Sequence, residues 1–222
     1  MRGRVANNLN PQQKAALKYI DGPLLVLAGA GSGKTSVITQ KIAYLVEQCD
    51  IPARNIAAVT FTNKAAREMK ARVSKLMPKD KSRGLTVSTF HNLGLNIIRT
   101  EIKTLGFKPG FSILDQEDCR NLLKELMVRH SELDDKLLDQ VQSTISNWKN
   151  SLLEPGQATG AADSTGEQGI AILYERYQRA LKAYNAVDFD DLIMTPVMLF
   201  KQHPEILNKW QRRIRYLLVD EY

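Results

Sequence analysis

The sequence predicts an α/β protein with a parallel sheet and an inserted, mainly helical region. Short apolar runs at 24–27, 56–61 and 85–89 are typical of buried strands, and the segments between them carry apolar residues at helical spacing. Alternating strands and helices indicate a parallel sheet. The run at 216–219 is apolar throughout, which predicts a central strand covered on both faces. Between residues 91 and 200 the strand signal nearly disappears, so this region is expected to be a helical insertion.

Helical spacing inside the insertion predicts helices over 91–103, 116–129, 134–149, 170–184 and 190–200. Asp115 is a predicted N-cap, and Asp188 or Asp190 is expected to cap the last of these helices. Pro155 and four glycines between residues 154 and 169 predict a surface loop.

Charge is distributed unevenly along the 222 residues. The net charge is +7, but residues 1–90 hold 15 basic against 5 acidic side chains, whereas residues 91–200 hold 11 against 16. This asymmetry predicts a polyanionic partner for the first segment, with ordinary solvated faces as the alternative. The 43% hydrophobic content excludes a disordered or fibrous chain.

The cysteines and histidines show no metal-ligand spacing, which predicts a cytoplasmic protein without structural zinc. No apolar run reaches the roughly 20 residues of a membrane helix, and no signal peptide follows the first residues. We therefore expect neither secretion nor membrane insertion.

The most specific motif lies between a predicted strand and a predicted helix. It is a Walker A loop whose first glycine is replaced by alanine: Ala28, Gly29, Ala30, Gly31, Ser32, Gly33, Lys34 and Thr35. Glycines let backbone N–H groups point at phosphate oxygens, Lys34 adds a positive charge, and Thr35 can ligate Mg²⁺. The motif predicts ATP binding, and a glycine-rich turn without ligand is the alternative.

A second acidic site is needed to hold the metal ion and to orient water. Asp220 and Glu221 follow the apolar run 216–219, so Asp220 is predicted to bind Mg²⁺ and Glu221 to act as the catalytic base. Lys34, whose charge meets the phosphates, is the other predicted catalytic residue. Adjacent carboxylates at a strand end also occur in solvated turns. It is the Walker A loop that favours the catalytic interpretation.

Several ordered blocks together resemble superfamily 1 DNA helicases of the UvrD and Rep type. The blocks are Leu9–Gln13, Ala28–Thr35, Ala58–Met69, Val87–His91, Ser146–Lys149, Asp188–Leu192 and Val219–Tyr222. The resemblance implies a RecA-like P-loop NTPase lobe formed by 1–90 and 201–222, with residues 91–200 as an inserted helical subdomain. It also implies that Gln13 reads the adenine edge and that Arg72 lies beside the base.

The resemblance further implies a groove for single-stranded DNA at the carboxyl ends of two strands. Its residues would be Thr60, Phe61, Thr62, Asn63 and Lys64 after the first strand, and Thr89, Phe90 and His91 after the second. Without the family, Phe61, Phe90 and Trp148 read equally well as core aromatics. Hydroxyls, amides and a lysine suit phosphate contacts, and aromatic faces suit base stacking.

The function implied is that of the N-terminal part of a 3′–5′ DNA helicase, which couples ATP hydrolysis to movement on single-stranded DNA and opens duplex at junctions. Replication or repair proteins are expected partners. Ser36 stands where the family usually carries Arg, and the family's second motor lobe lies beyond Tyr222, so these 222 residues are expected to bind ATP better than they hydrolyse it. The alternatives are a noncatalytic, nucleotide-responsive DNA-binding module and, less favoured, a helicase subunit of a recombination nuclease.

Overall fold

The computed structural model describes residues 9–29, 31–127 and 135–220, and they form a mixed α/β protein with a small parallel sheet. The contacts divide the chain into two compact units: one holds the described residues up to Leu93 and from Glu205 onward, and the other is Gly94–Pro204. None of the helices in the described ranges is long and apolar enough to cross a bilayer.

The first unit is built on three parallel strands, which lie in the order β2 (Thr86–Thr89), β1 (Ile56–Thr60) and β5 (Tyr216–Val219). Its elements are α1 (Pro11–Lys18), α2 (Lys34–Glu47), β1 (Ile56–Thr60), α3 (Asn63–Leu76), β2 (Thr86–Thr89), the start of α4 (Phe90–Thr100), α11 (Pro204–Arg213) and β5 (Tyr216–Val219). In register, Val59 lies beside Ser88 on one side and Val219 on the other. The predicted strands at 56–61, 85–89 and 216–219 are therefore confirmed. The prediction that 216–219 is central and covered on both faces is wrong, because β5 lies at an edge of the described sheet and Leu217 is 53% exposed.

The central strand β1 has a neighbour on each edge and is buried along its whole length. Ile56 and Ala58 pack with apolar residues of α2 and α3, among them Ile42 and Met69, and all four side chains are fully buried. Because side chains alternate along a strand, this packing covers one face of the sheet with two helices.

The predicted strand at 24–27 is wrong. These residues form no ladder with the sheet, and their side chains are exposed, from 46% at Leu24 to 87% at Leu27. An apolar run becomes a buried strand only where a sheet edge pairs with it and another layer covers it. In the described part of the chain, the run has neither.

The second unit is mainly helical, as predicted. It contains the rest of α4, α5 (Ile102–Leu105), β3 (Ser112–Ile113), α6 (Gln116–Met127), α7 (Asp135–Asn150), α8 (Pro155–Ala161), α9 (Thr165–Ala183), β4 (Ala186–Val187) and α10 (Asp191–Gln202). Asp115 caps α6 by accepting from the N–H groups of Glu117 and Asp118, each at 2.9 Å. At α10 the Asp188 carboxylate accepts from the Asp191 N–H at 2.8 Å.

The predicted surface loop at 154–169 is also wrong, because most of it is helical. Pro155 stands in the first turn of α8, and Glu154 and Gln157 form a capping box there. Ser164 caps α9 by accepting from the Glu167 N–H at 3.2 Å. Proline at a helix start and paired caps favour helix over the disorder that glycine content suggests.

A buried ion cluster joins α7 to α10 inside the second unit. The Lys149 ammonium, 1% exposed, donates to Asp188 Oδ2 at 2.6 Å and to Asp191 Oδ1 at 2.8 Å. Tyr177 donates its hydroxyl to the same Asp188 oxygen at 3.0 Å. Beside it, Trp148 stacks on Tyr174 with ring centroids 6.1 Å apart, so Trp148 is a core aromatic.

Helices α4 and α10 touch at a glycine. Pro196 lies inside α10, and because proline has no N–H, it cannot bond the Leu192 carbonyl four residues earlier. A Cβ built on Gly94 would lie 1.8 Å from that carbonyl oxygen. The two backbones can approach this closely only because position 94 has no side chain.

We expect Gly94→Ala to lower the free energy of unfolding by about 3 kcal/mol or more, since the methyl group meets backbone that cannot move independently. Gly160→Ala is the matched control, because Gly160 lies in α8 with no atom within 4 Å of its built Cβ. Urea denaturation would compare both with the parent. Equal stability of the two variants would contradict the close approach.

Candidate nucleotide and nucleic-acid site

The glycine-rich loop leads directly into α2, whose first residue is Lys34. Gly31 has φ 73° and Gly33 has φ 84°, a left-handed conformation that non-glycine residues rarely adopt. No side chain caps the helix at Gly33. The first N–H groups of α2 are therefore available to an anion, and the helix dipole favours negative charge at that end.

The Lys34 side chain folds back over the loop. Its Nζ donates to the carbonyl oxygens of Ala28 at 2.8 Å and Gly29 at 2.9 Å. These two bonds hold one positive charge at the mouth of the loop, beside the N-terminus of α2. An incoming phosphate would meet both the ammonium and the backbone donors.

Thr35 meets Asp220 across 185 residues of sequence. The Thr35 hydroxyl donates to Asp220 Oδ2 at 2.9 Å. Asp220 is 6% exposed, and its N–H donates to the Val59 carbonyl at 2.9 Å, which extends the pairing of β5 with β1. The sheet therefore brings the acidic residue after β5 to the start of α2.

This pair of oxygens suits Mg²⁺. Octahedral Mg²⁺ binds oxygen at about 2.0–2.1 Å, so neighbouring ligands lie about 2.9 Å apart. That spacing equals the Thr35–Asp220 separation. Mg²⁺ usually takes only one or two protein ligands and fills its other positions with water and phosphate. In the described ranges no cluster of three His, Cys, Asp or Glu residues forms a different metal site.

Gln13 connects α1 to the loop. Its Oε1 accepts from the Asn10 N–H at 2.9 Å, and its Nε2 donates to the Ser32 carbonyl at 2.9 Å. An amide oxygen has two lone pairs and an amide nitrogen has two hydrogens. Gln13 therefore keeps one acceptor and one donor position while its side chain is held against the loop.

Lys41 fixes the other end of α1. Its Nζ donates to the carbonyl oxygens of Ala16 at 2.9 Å, Leu17 at 3.4 Å and Tyr19, at the carboxyl end of α1. Burial lowers the pKa of this lysine, but the three carbonyls at a negative helix end suit its positive charge. Helix α1 is thus bonded to α2 at one end and to the loop at the other.

Exposed polar and aromatic groups follow β1. Phe61 is 74% exposed, which excludes the core interpretation of this residue. The Thr62 hydroxyl caps α3 by accepting from the Ala65 N–H at 3.1 Å. Asn63 Oδ1 accepts from Asn92 Nδ2 at 3.1 Å, and this bond links the start of α3 to the start of α4. Lys64 is exposed.

Two of the predicted DNA-binding side chains are buried instead. Thr60 is 1% exposed and Thr89 is 5% exposed. The Thr89 hydroxyl accepts from the Asn92 N–H at 3.2 Å, which caps the first turn of α4. Phe90 and His91 are half-buried at the start of α4.

Three predicted site residues are not brought into this arrangement. Ala30 and Glu221 lie outside the described residues. Arg72 is exposed on α3, and no hydrogen bond or ion pair between described residues joins it to Gln13 or to the loop.

Sequence reasoning missed Asn10, Lys41 and Asn92. Asn10 carries a readable signal, since Asn followed three residues later by Gln predicts a capping box, which the structure contains. Lys41 lies among apolar residues of α2 at helical spacing, the position of a buried cation. Asn92 has no sequence signal, because its partner Asn63 is 29 residues away.

Comparison with known proteins gives a consistent result. Residues 9–222 match the family described as UvrD/REP helicase N-terminal domain. The chain is 54% identical to the ATP-dependent DNA helicase Rep of Escherichia coli strain K12, over 96% of this chain and 32% of the relative. Rep of Buchnera aphidicola subsp. Schizaphis graminum is 47% identical over 97% of this chain and 33% of the relative.

A relative with another name also matches. The ATP-dependent DNA helicase PcrA of Staphylococcus aureus strain Mu50 is 42% identical over 97% of this chain and 30% of the relative. The chain therefore spans about a third of the length of the curated relatives it matches. With the family match covering residues 9–222, this chain belongs to the UvrD/REP helicase N-terminal domain family.

Proposed function

We propose that this chain binds ATP with Mg²⁺ and single-stranded DNA as the N-terminal part of an ATP-dependent 3′–5′ DNA helicase. The observation that carries the proposal is the Thr35–Asp220 bond, which joins the Walker A loop to the acidic residue after β5. Two oxygens at a Mg²⁺ ligand spacing, beside free helix N–H groups and an ammonium, make a triphosphate the ligand of best fit.

Each part of the nucleotide has a partner in this site. The phosphates lie against the start of α2 and the Lys34 ammonium, and the remaining donor and acceptor of Gln13 face the adenine edge. Thr35 and Asp220 would hold Mg²⁺, and the chemistry that the ion would supply there is neutralisation of charge on the phosphate oxygens. Glu221 is the proposed base because it follows Asp220 in sequence.

Single-stranded DNA runs along the carboxyl ends of β1 and β2 in this proposal. Phe61 stacks on a base, while Thr62, Asn63 and Lys64 contact phosphates. The buried Thr60 and Thr89 shape the two loops, and Phe90 and His91 line the groove. In this proposal the groove and the nucleotide loop both lie at the carboxyl ends of the strands of a RecA-like sheet, an arrangement in which the two ligands can be coupled.

Movement along DNA is proposed for a polypeptide of the length of the relatives, since a motor needs a second lobe that closes on ATP. We expect these 222 residues to bind ATP but to hydrolyse it slowly. In the proposed helicase the second lobe supplies arginines that reach the transferred phosphoryl group, and such arginines raise the rate about 10³–10⁵-fold in comparable enzymes. Unwinding of duplex at junctions and contacts with replication or repair proteins belong to the same proposal.

Lys34→Ala is expected to weaken binding of Mg²⁺-ATP by about 10- to 100-fold, since a charged hydrogen-bond donor is worth about 1.5–3 kcal/mol. Isothermal titration would measure the dissociation constant. Lys103→Ala is the matched control, because Lys103 is an exposed lysine in the helical unit. Unchanged ATP affinity in the Lys34 variant, with intact circular dichroism, would refute the nucleotide site.

Phe61→Ala is expected to cost about 1–3 kcal/mol of single-strand affinity, the usual contribution of a stacked base. Stability should hardly change, since the ring is 74% exposed. Fluorescence anisotropy with labelled oligo-dT would report binding. The control is Tyr184→Ala, which removes an aromatic ring that is 63% exposed in the other unit. A similar loss in both variants would remove Phe61 from the groove.

Lys41→Met is expected to weaken ATP binding several-fold while leaving affinity for inorganic triphosphate unchanged, because Lys41 acts on α1 and hence on Gln13 rather than on the phosphates. Competition titrations with both ligands would separate the two effects. Lys41→Arg keeps the charge and should retain most of the ATP preference. Equal losses for the two ligands would show that Lys41 supports the phosphate loop instead.

A further inference from the structure

The edge of the sheet opposite the nucleotide loop carries a concentration of positive charge. Parallel strands bring their amino ends together, as they do their carboxyl ends. Three segments lead into the strands at this edge: 52–55 before β1, 78–85 before β2 and 211–215 before β5. Together they contain seven cations and one carboxylate, Asp80. The cations are Arg54, Lys79, Lys81, Arg83, Arg212, Arg213 and Arg215.

Contacts within the first unit join these segments into one surface, which we call the amino-edge patch. Asn55 Nδ2 donates to the Arg213 carbonyl at 2.9 Å, and the Arg215 N–H donates to the Asn55 carbonyl at 2.9 Å. On the other side of β1, a Cβ built on Gly84 would lie 2.8 Å from Arg54 Cβ. The turn Ala53–Asn55 therefore lies between the other two segments.

The cations of the amino-edge patch face solvent and are not neutralised. All seven are exposed, and none forms an ion pair with another residue in the described part of the chain. Asp80 is the one carboxylate within the three segments, and Glu47 and Asp50 come before Ala53. They leave a clear excess of positive charge.

Helix dipoles account for only part of this charge. Arg212 and Arg213 lie in the last turn of α11, where cations are stabilised by the negative helix end. Arg54, Lys79, Lys81, Arg83 and Arg215 lie outside the α-helices. Like charges in one patch repel each other, so an accumulation beyond the helix ends favours an anionic partner.

We infer that the amino-edge patch binds the phosphate backbone of duplex DNA, at a site separate from the proposed single-strand groove. None of the three segments contains an aromatic residue, so they cannot stack on unpaired bases. Five of the seven cations are arginines, whose planar guanidinium group can bind a phosphate through two hydrogen bonds. From β2 to β5 the sheet spans about 10 Å, whereas duplex DNA carries one charge per about 1.7 Å of axis, so several phosphates can be contacted together.

The test uses blunt 20-base-pair duplex of arbitrary sequence, labelled with fluorescein, and measures anisotropy between 50 and 200 mM salt. The patch variant combines Lys79→Ser, Lys81→Ser and Arg83→Ser. Its control combines Lys103→Ser, Lys108→Ser and Lys182→Ser, which removes the same charge from exposed lysines of the helical unit. Circular dichroism and urea denaturation verify that both variants fold.

We expect the duplex affinity of the patch variant to fall at least about fivefold at 50 mM salt. The slope of log association constant against log salt concentration should become shallower by up to about 2.7, or about 0.9 for each lost phosphate contact. A second variant, Arg212→Gln with Arg215→Gln, should act in the same direction. Phe61→Ala should leave duplex affinity unchanged, so failure of the single-strand groove and failure of the patch are distinguishable.

Equal losses in the patch variant and the control would overturn the inference, because net charge alone would then explain duplex binding. Unchanged duplex affinity in the patch variant would overturn it as well. If polyglutamate binding falls in the patch variant while duplex binding does not, the partner of this surface is an acidic protein and the duplex assignment is wrong.

Discussion

The parallel pairing of β1 with a strand on each edge is the constraint on which the first unit depends. Five consecutive residues of β1 are almost fully buried, so the positions of β2 and β5 are fixed against it by backbone hydrogen bonds and packing. Loops at one edge then carry hydroxyls, amides, a carboxylate and an exposed phenylalanine, and loops at the other carry mostly cations. The chemistry of the unit therefore divides between the two ends of three short strands.

The buried cluster in the second unit gives the acidic residues near 190 a structural role. Burial by itself lowers the pKa of Lys149, but Asp191 and Asp188 outweigh it, and the pKa is raised. Burial raises the pKa of Asp191 to about 6, with Lys149 opposing this change and Asp188 adding to it. Two carboxylates share one ammonium, and a tyrosine hydroxyl donates to one of them, which holds α7 and α10 together. Removal of Lys149 would leave two buried carboxylates without a cation.

The sequence predicted the features of the fold that depend on local residue patterns. Strands β1, β2 and β5, the helical insertion, the Asp115 cap and the meeting of loop and acid all follow from periodicity or motif. The run 24–27 failed because burial needs a partner edge that composition does not specify, and 154–169 failed because caps at Glu154 and Ser164 outweigh glycine content. The bonds from Lys41 to α1 and from Asn92 to Asn63 join residues distant in sequence, so only the fold reveals them.

The exposed run Leu24–Leu27 has a consequence for how this polypeptide behaves in concentrated solution. Four consecutive aliphatic side chains reach solvent, and within the described residues β5 pairs only with β1, with Leu217 53% exposed. Exposed aliphatic side chains on backbone without ladder partners favour edge-to-edge association of two copies of a chain. At low ionic strength, repulsion between copies that each carry a net charge of +7 opposes this association. Added salt screens the repulsion, so precipitation is expected to begin at high ionic strength.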